Sequence, residues 1–369
     1  MKKRCILLVI IFFISIIILS INSNNKYLVK EESLATYIDG EKTDSFPAKG
    51  TVAFSKADCD NNTNIYWDND TWGLYATNLN EKTKCNLYFK TLENAVTKIT
   101  NLASTDTVNM ATDDPDNNIR YIGVNPNNYV YFNCDDYNNQ TSATCELWHI
   151  IGVFNNIEKE DGTKENLIKI VRNDSIGNNE WNFDNTNDWT TATLQKNLND
   201  GEYYNKTLKN NNTRLAIETV TWNIGESSNY KNVTPNLFYE VERGANVING
   251  NQVSWIGKIG LMYVSDYGYA TSGGSINNRE FCLSKELFNW NDFQDCYKND
   301  YLYKSEEIQW TLTSYSGNNS LVFDISNAGH VHYYSANSSL KFRPALFLKS
   351  DIFIGVGDGS KSNPYRLNL

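Results

Sequence analysis

The stretch WIGKIGLMYVSDYGYATSGGS, Trp255 to Ser275, decides how the rest of the chain is read. Its first ten residues, Trp255 to Val264, form a near-continuous apolar run, the pattern of a strand buried on most of its surface. Ser265-Asp266-Tyr267-Gly268-Tyr269 then reads as a sharp turn at the strand's end, with Asp266 capping and anchoring it. The run is expected to be the central strand of the main domain. Ser265 and Asp266 together with a histidine would invite comparison with a hydrolytic triad, but the G-x-S-x-G elbow is missing and nothing local activates the serine.

Outward from this stretch, further strands are expected at Tyr129 to Phe132, Leu147 to Phe154, Leu167 to Arg172, Gln309 to Leu312, Leu321 to Ile325, His330 to Tyr334 and Arg343 to Leu348. Lys159-Glu160-Asp161-Gly162 is a turn signal that joins the second and third of these as a hairpin. Leu194 to Leu198, stopped by Asp200-Gly201, and Leu215 to Trp222 carry helix signals. Arg172 and Arg343, at strand ends, are expected to pin internal carboxylates. The resulting domain is α+β: short helices and long loops around a twisted antiparallel sheet.

The chain has 369 residues, which favours two domains or one large domain with a small companion. Residues 1–24 hold Lys2-Lys3-Arg4 and then an uninterrupted apolar run, Cys5 to Ile21, which reads as a signal peptide or an uncleaved membrane anchor with the remainder outside. Residues 25–91 show a small all-β pattern with Cys59 and Cys85, in which Trp67 and Trp72 read as core. Residues 92–118 read as a connecting helix, apolar at Leu92, Ala95, Val96, Ile99 and Leu102, followed by a solvated loop containing Asp113-Asp114-Pro115-Asp116. Residues 119–369 form the main domain.

A net charge of −10 with no basic cluster beyond the first residues excludes a nucleic-acid partner, because phosphate binding needs gathered Lys and Arg. Six of the seven cysteines lie outside the export segment, and an even number there fits an oxidising compartment. Fifteen connectivities exist; proximity in sequence favours Cys59–Cys85, Cys134–Cys145 and Cys282–Cys296. No couple has C-x-x-C spacing, which speaks against zinc.

The ordered set LWHIIGVF, LIKIVRNDSIG, WIGKIGLMYVSDYGYATSGG, WTLTS, VFDISNAGHV and RPALFLKS resembles a group of bacterial surface proteins whose domain is similar to the C-type-lectin-like superfamily, in the branch shared with formylglycine-generating enzymes. The resemblance covers roughly Ile119 to Leu369 and implies a fold that presents loops for binding. The enzymes of that branch need a reactive cysteine pair or a histidine-rich metal triad, and neither matches residue by residue. Cys282 and Cys296 are better read as a disulfide. His330 and His332, two apart on an expected strand, would project from one face as a metal pair requires, yet the chain has only three histidines. Trp290-Asn291-Asp292 resembles the Trp-Asn-Asp run of calcium-dependent lectins, but Cys296 follows at a different spacing and the partner loop is missing.

These observations predict a non-catalytic extracellular recognition or adhesion protein that meets a glycan or protein ligand on another cell or host surface, tied to a membrane through its N-terminal segment. Its candidate contacts are Trp181, Trp189, Trp290, Asn291, Asp292, Tyr315, Tyr333 and Tyr334, since aromatic faces stack on sugars or side chains and amides supply adaptable hydrogen bonds. No cofactor is implied, calcium remaining the alternative. A metal- or thiol-dependent enzyme and a self-assembling surface protein are the rival readings.

Overall fold

The computed structural model describes residues 34–60, 63–68, 71–77, 83–247 and 250–369, without the side chains of 276 and 277. The export or anchor reading of residues 1–24 falls outside them. Among the described residues no helix is long and apolar enough to cross a membrane. The chain divides into two compact units between Leu92 and Glu93.

The first unit is all β. Its strands are β1 (Leu34–Ile38), β2 (Glu41–Thr43), β3 (Val52–Cys59), β4 (Asn64–Asp68), β5 (Gly73–Thr77) and β6 (Cys85–Thr91). Four form a sheet in the order β2-β1-β6-β3, and β4 pairs with β5. Cys59 lies opposite Cys85 in the ladder, and the two are joined as expected. Trp67 packs 5.1 Å from Phe89 and 4.9 Å from Trp72, whose Nε1 donates to the Pro47 carbonyl at 2.8 Å. Both tryptophans therefore serve this small core.

The second unit is α+β and opens with β7 (Glu93–Asn94) and α1 (Ala95–Ala103). Asn94 caps α1 by accepting from Thr97 N at 3.1 Å, and Ala95 and Ile99 sink into the large core. The segment expected to be a connector thus belongs to this unit. Next come β8 (Met110–Ala111), β9 (Ile119–Tyr121), β10 (Tyr129–Phe132), β11 (Glu146–Glu158), β12 (Lys164–Arg172) and β13 (Ile176–Glu180). They are followed by α2 (Thr193–Asn199), α3 (Asn211–Leu215), β14 (Val220–Asn223), α4 (Pro235–Glu242), β15 (Ser254–Gly257), β16 (Ile259–Leu261), α5 (Val264–Ala270), α6 (Ile276–Leu283) and α7 (Gln294–Tyr297). The chain ends in β17 (Gln309–Ser314), β18 (Leu321–Ile325), β19 (Val331–Ser335), β20 (Ser339–Phe342), β21 (Pro344–Phe347), β22 (Phe353–Val356) and β23 (Tyr365–Asn368).

A ten-stranded sheet carries the core in the order β16-β21-β12-β11-β10-β23-β22-β7, with β9 attached to β11 and β8 to β9. Its centre is the β11–β12 hairpin, whose residues Trp148 to Phe154 and Leu167 to Val171 are buried on both faces. A second sheet runs β13-β20-β17-β18-β19. The expectation of a central strand at Trp255 to Val264 is corrected. The run breaks at Lys258: β15 pairs with β14, while β16 pairs with β21 at the edge of the large sheet. Asn199 holds the break, its Oδ1 accepting from Lys258 N at 3.1 Å and Ile259 N at 3.0 Å. Gly260 fits because a Cβ there would stand 3.1 Å from the Trp222 ring.

The expected turn after the run is instead helix α5, buried along its length. Asp266 does cap it, accepting from Tyr263 N at 2.9 Å. The same carboxylate accepts from Lys169 Nζ at 2.5 Å and Arg120 Nη1 at 3.0 Å, with Arg120 Nε 2.6 Å from Asp114. Burial pushes Lys169 down to about 8 although Asp266 pulls it upward. Burial also works to raise Asp266, but Lys169 and Arg120 prevail and hold it below the usual carboxylate range.

Two further expectations change. The helix foreseen over Leu215 to Trp222 is the end of α3 followed by β14, where Val220 and Trp222 point inward and Thr221 and Asn223 outward. The acidic loop is not merely solvated: Asp114 is buried against Arg120, and Asp113 Oδ1 pairs with Arg279 Nη2 at 2.7 Å. Arg172 reaches Glu146 at 3.1 Å as anticipated, whereas buried Arg343 donates to Gln309 Oε1 and the Leu302 carbonyl, each at 2.6 Å. The Cys134–Cys145 and Cys282–Cys296 disulfides are present, in keeping with an oxidising environment.

Candidate functional site

The three tryptophans singled out as ligand contacts are core residues: Trp181 is 0%, Trp189 2% and Trp290 0% exposed. The Trp181 and Trp189 rings lie 5.0 Å apart, and Trp181 Nε1 donates to the Thr311 carbonyl at 3.0 Å. Trp290 packs 5.4 Å from Tyr267 of α5. All three rings belong to the large core, and Trp189 and Trp290 tie the 3-10 turns that carry them to it. Asn291 and Asp292 are exposed at the end of the 3-10 turn Leu287–Asp292 and bond weakly to each other at 3.4 Å. Among the described residues no group of three or more His, Cys, Asp or Glu converges as a metal site.

The remaining candidates do come together. Tyr315 follows β17, and its ring stacks on Tyr333 of β19 at 5.2 Å and 8°. His332 lies parallel to Tyr333 at 4.9 Å and 13°, with Tyr334 5.8 Å from His332. Two residues that the sequence did not flag complete the cluster. Tyr230 stands edge-on to Tyr333 at 5.0 Å and to Tyr315 at 5.8 Å, and Phe288 meets Tyr230 at 5.4 Å. All are partly accessible, Tyr334 most at 39%. His330, 6.0 Å from His332 and 6.1 Å from Phe288, brings the neighbourhood to seven rings.

The scaffold beneath is fixed by hydrogen bonds. Ser227 N donates to the Ser314 carbonyl at 3.2 Å and Ser316 N to the Ser227 carbonyl at 3.0 Å, which lays the Tyr230 loop along β17. The Asn187 amide donates to the carbonyls of Tyr315 and Leu321, each at 3.0 Å, and closes the β17–β18 connection. Tyr315 also rests edge-on against buried Phe323 at 5.7 Å.

The expected histidine pair is altered by the turn before β19. His330 precedes the strand, after Gly329 at φ +88°, and its ring is set at 86° to that of His332. Its Nδ1 is committed to Ser326 Oγ at 3.0 Å. Burial, with His332 adding to it, lowers the His330 pKa below the ordinary imidazole value. Opposite His332 in the ladder, Asp324 is fully buried with neither carboxylate oxygen partnered among the described residues. Burial drives its pKa well above the carboxylate range. At its accessible side the cluster presents aromatic faces, imidazole nitrogens and phenol hydroxyls.

Such a surface can stack on flat apolar faces and hydrogen-bond around their rims. Tyr230 and Phe288 escaped the sequence reading because each sits in an irregular loop without periodicity. Comparison with protein-family models, with curated proteins and with solved structures returned no match.

Proposed function

We propose that this chain is a non-catalytic recognition protein of an extracellular surface that binds glycan through the cluster of Tyr230, Phe288, Tyr315, His332, Tyr333 and Tyr334. The observation that carries the reading is the gathering of these rings in partly accessible positions, Tyr315 and His332 parallel to Tyr333 and Tyr230 edge-on to it, held by a hydrogen-bonded scaffold. A pyranose has one face of C–H bonds that lies on an aromatic ring, while its hydroxyls bond to imidazole and phenol groups around the edge. Preorganised rings lose little conformational entropy on binding. The disulfides support an exported location, and the α+β unit with its long loops and the Cys282–Cys296 bridge is compatible with a C-type-lectin-like fold.

The test is an array of glycans and host surface proteins probed with the exported chain, with calcium and with chelator. Saturable glycan binding, lost on Tyr333→Ala or Tyr230→Ala and unchanged by chelator, supports the reading. Binding to proteins alone, or glycan binding indifferent to both substitutions, refutes it.

A further inference from the structure

A cavity of about 190 Å³ opens between β11, β14 and the end of α4, and shares no residue with the aromatic cluster. It is smaller than the roughly 300–1,000 Å³ of sites for drug-sized ligands, so it has room for a single ring. Three kinds of group converge on it.

The first is an arginine with donors to spare. Arg243 lies at the end of α4 with its guanidinium 3.4 Å from the Tyr239 ring centre and 5.3 Å from that of Tyr263. Its Nη1 donates to the Tyr239 carbonyl at 3.2 Å and stands 3.5 Å from Glu242 Oε2. Neither Nε nor Nη2 has a hydrogen-bond partner among the described residues. Glu242 does not consume them: fully buried, it already accepts from Ser265 N at 3.1 Å, from Ser265 Oγ and from Thr313 Oγ1 at 2.7 Å. The second is an apolar wall made by Tyr263 and Phe347. The third is the outward row of β14, where Thr221 and Asn223 bring a hydroxyl and an amide to the same rim. Neither side chain has a partner among the described residues. One acidic group also faces the cavity, Asp116, which accepts from Tyr239 Oη at 2.6 Å.

From this geometry we infer a second binding site, for a hydroxylated carboxylic acid of one-ring size, the chemistry of a sugar acid. The carboxylate takes the free edge of the Arg243 fork through Nε and Nη2, the pairing for which a planar guanidinium is suited. The ring lies against Tyr263 and Phe347. Hydroxyls reach Thr221 and Asn223. Asp116 disfavours further negative charge, so a single carboxylate is preferred to the phosphate dianion. The inference does not depend on the aromatic cluster, and its test separates the two sites.

Calorimetric and saturation-transfer titrations of the exported chain with glucuronate, glucose, benzoate and inorganic phosphate decide it. Glucuronate is expected to bind in the millimolar range or tighter, with glucose, benzoate and phosphate each weaker by about tenfold or more. Arg243→Gln should abolish glucuronate binding, and Arg243→Lys, which keeps the charge but loses the fork, should weaken it by about tenfold. Thr221→Val, on an outward strand position, keeps the fold and should weaken glucuronate while leaving benzoate unchanged. Tyr333→Ala should leave glucuronate binding intact. A glycan ending in glucuronate should compete with the free acid if the site serves chain ends, and fail to compete if it serves the free acid. Absence of glucuronate binding, or equal binding by wild type, Arg243→Gln and Thr221→Val, overturns the inference.

Discussion

Replacing Asp266 by Asn exchanges one oxygen for an amide nitrogen at nearly unchanged volume and removes the negative charge on which Lys169, Arg120 and the start of α5 converge. The side chains of Asp266 and Lys169 are 0% exposed and that of Arg120 2%, so solvent cannot take over the lost interaction. The amide oxygen of Asn can still accept from Tyr263 N, which keeps the helix cap; the loss falls on the ion pairs. Breaking a buried pair by removing one partner costs about 3–5 kcal/mol, because the other charge is left without compensation. Lys169 already sits at about 8, and without Asp266 burial drives it lower still, so neutralisation near pH 7 moderates the loss toward the lower end of that range. Against a typical stability of about 5–15 kcal/mol the variant still folds. Urea unfolding followed by tryptophan fluorescence should show a fall of about 3 kcal/mol. The double variant Asp266→Asn with Lys169→Met should recover part of it, since the orphaned ammonium is gone. The sign with pH is fixed as well: a carboxyl lowered on folding contributes stability above its unfolded pKa and loses it in acid, so the gap between wild type and Asp266→Asn should narrow below about pH 4. A loss under about 1 kcal/mol at pH 7, or no recovery in the double variant, would refute the reasoning.

Other perturbations have equally definite outcomes. His149 is buried with its ring nitrogens 2.9 Å from Asn128 Oδ1 and 2.8 Å from Asn173 Oδ1, and burial, seconded by Arg343, pushes its pKa down to about 3. Its contribution is therefore intact above the unfolded value of about 6.5 and lost below it by up to about 1.4 kcal/mol per pH unit, so the advantage over His149→Gln should shrink from pH 7 to 5; parallel curves contradict this. Asp324 is raised by burial and binds a proton in the fold, so Asp324→Asn should become increasingly stabilising as pH rises above about 4, and a stability loss at pH 7 would show an unseen partner for the carboxylate. Replacing Cys282 and Cys296 together by Ala should cost about 3 kcal/mol from the loop they close, and the unreduced wild type should show no free thiol at either position on titration after denaturation.

How far the sequence speaks depends on whether a residue's environment is set by its neighbours in the chain. Leu147 to Phe154 and Leu167 to Arg172 were legible because strands buried on both faces read as apolar runs, and Gly162 at φ +79° marks the turn between them. The disulfides were legible for a similar reason, since each closes a short span. The break within Trp255 to Val264 was not, because both halves are apolar and the side chain that separates them, Asn199, lies some sixty positions away. Helix α5 escaped because a seven-residue helix buried on every side shows no apolar face. At the site, residue type identified Tyr315, Tyr333 and Tyr334 but could not tell an exposed ring from a core one, so Trp181, Trp189 and Trp290 were swept in with them. Tyr230 and Phe288 join the cluster only through tertiary packing. Arg243 carried no local signal, since what distinguishes it is a guanidinium with two nitrogens unpartnered among the described residues beside an already satisfied Glu242.

The most direct test of the central claim is oxidative footprinting of the disulfide-bonded chain, alone and with any glycan that the array shows to bind. The account predicts that Tyr230, Phe288, Tyr333 and Tyr334 are modified in the free chain and protected in the complex, while Trp181, Trp189 and Trp290 are protected in both. Protection of other surfaces with the cluster still modified, or modification of those three tryptophans in the free chain, would contradict it.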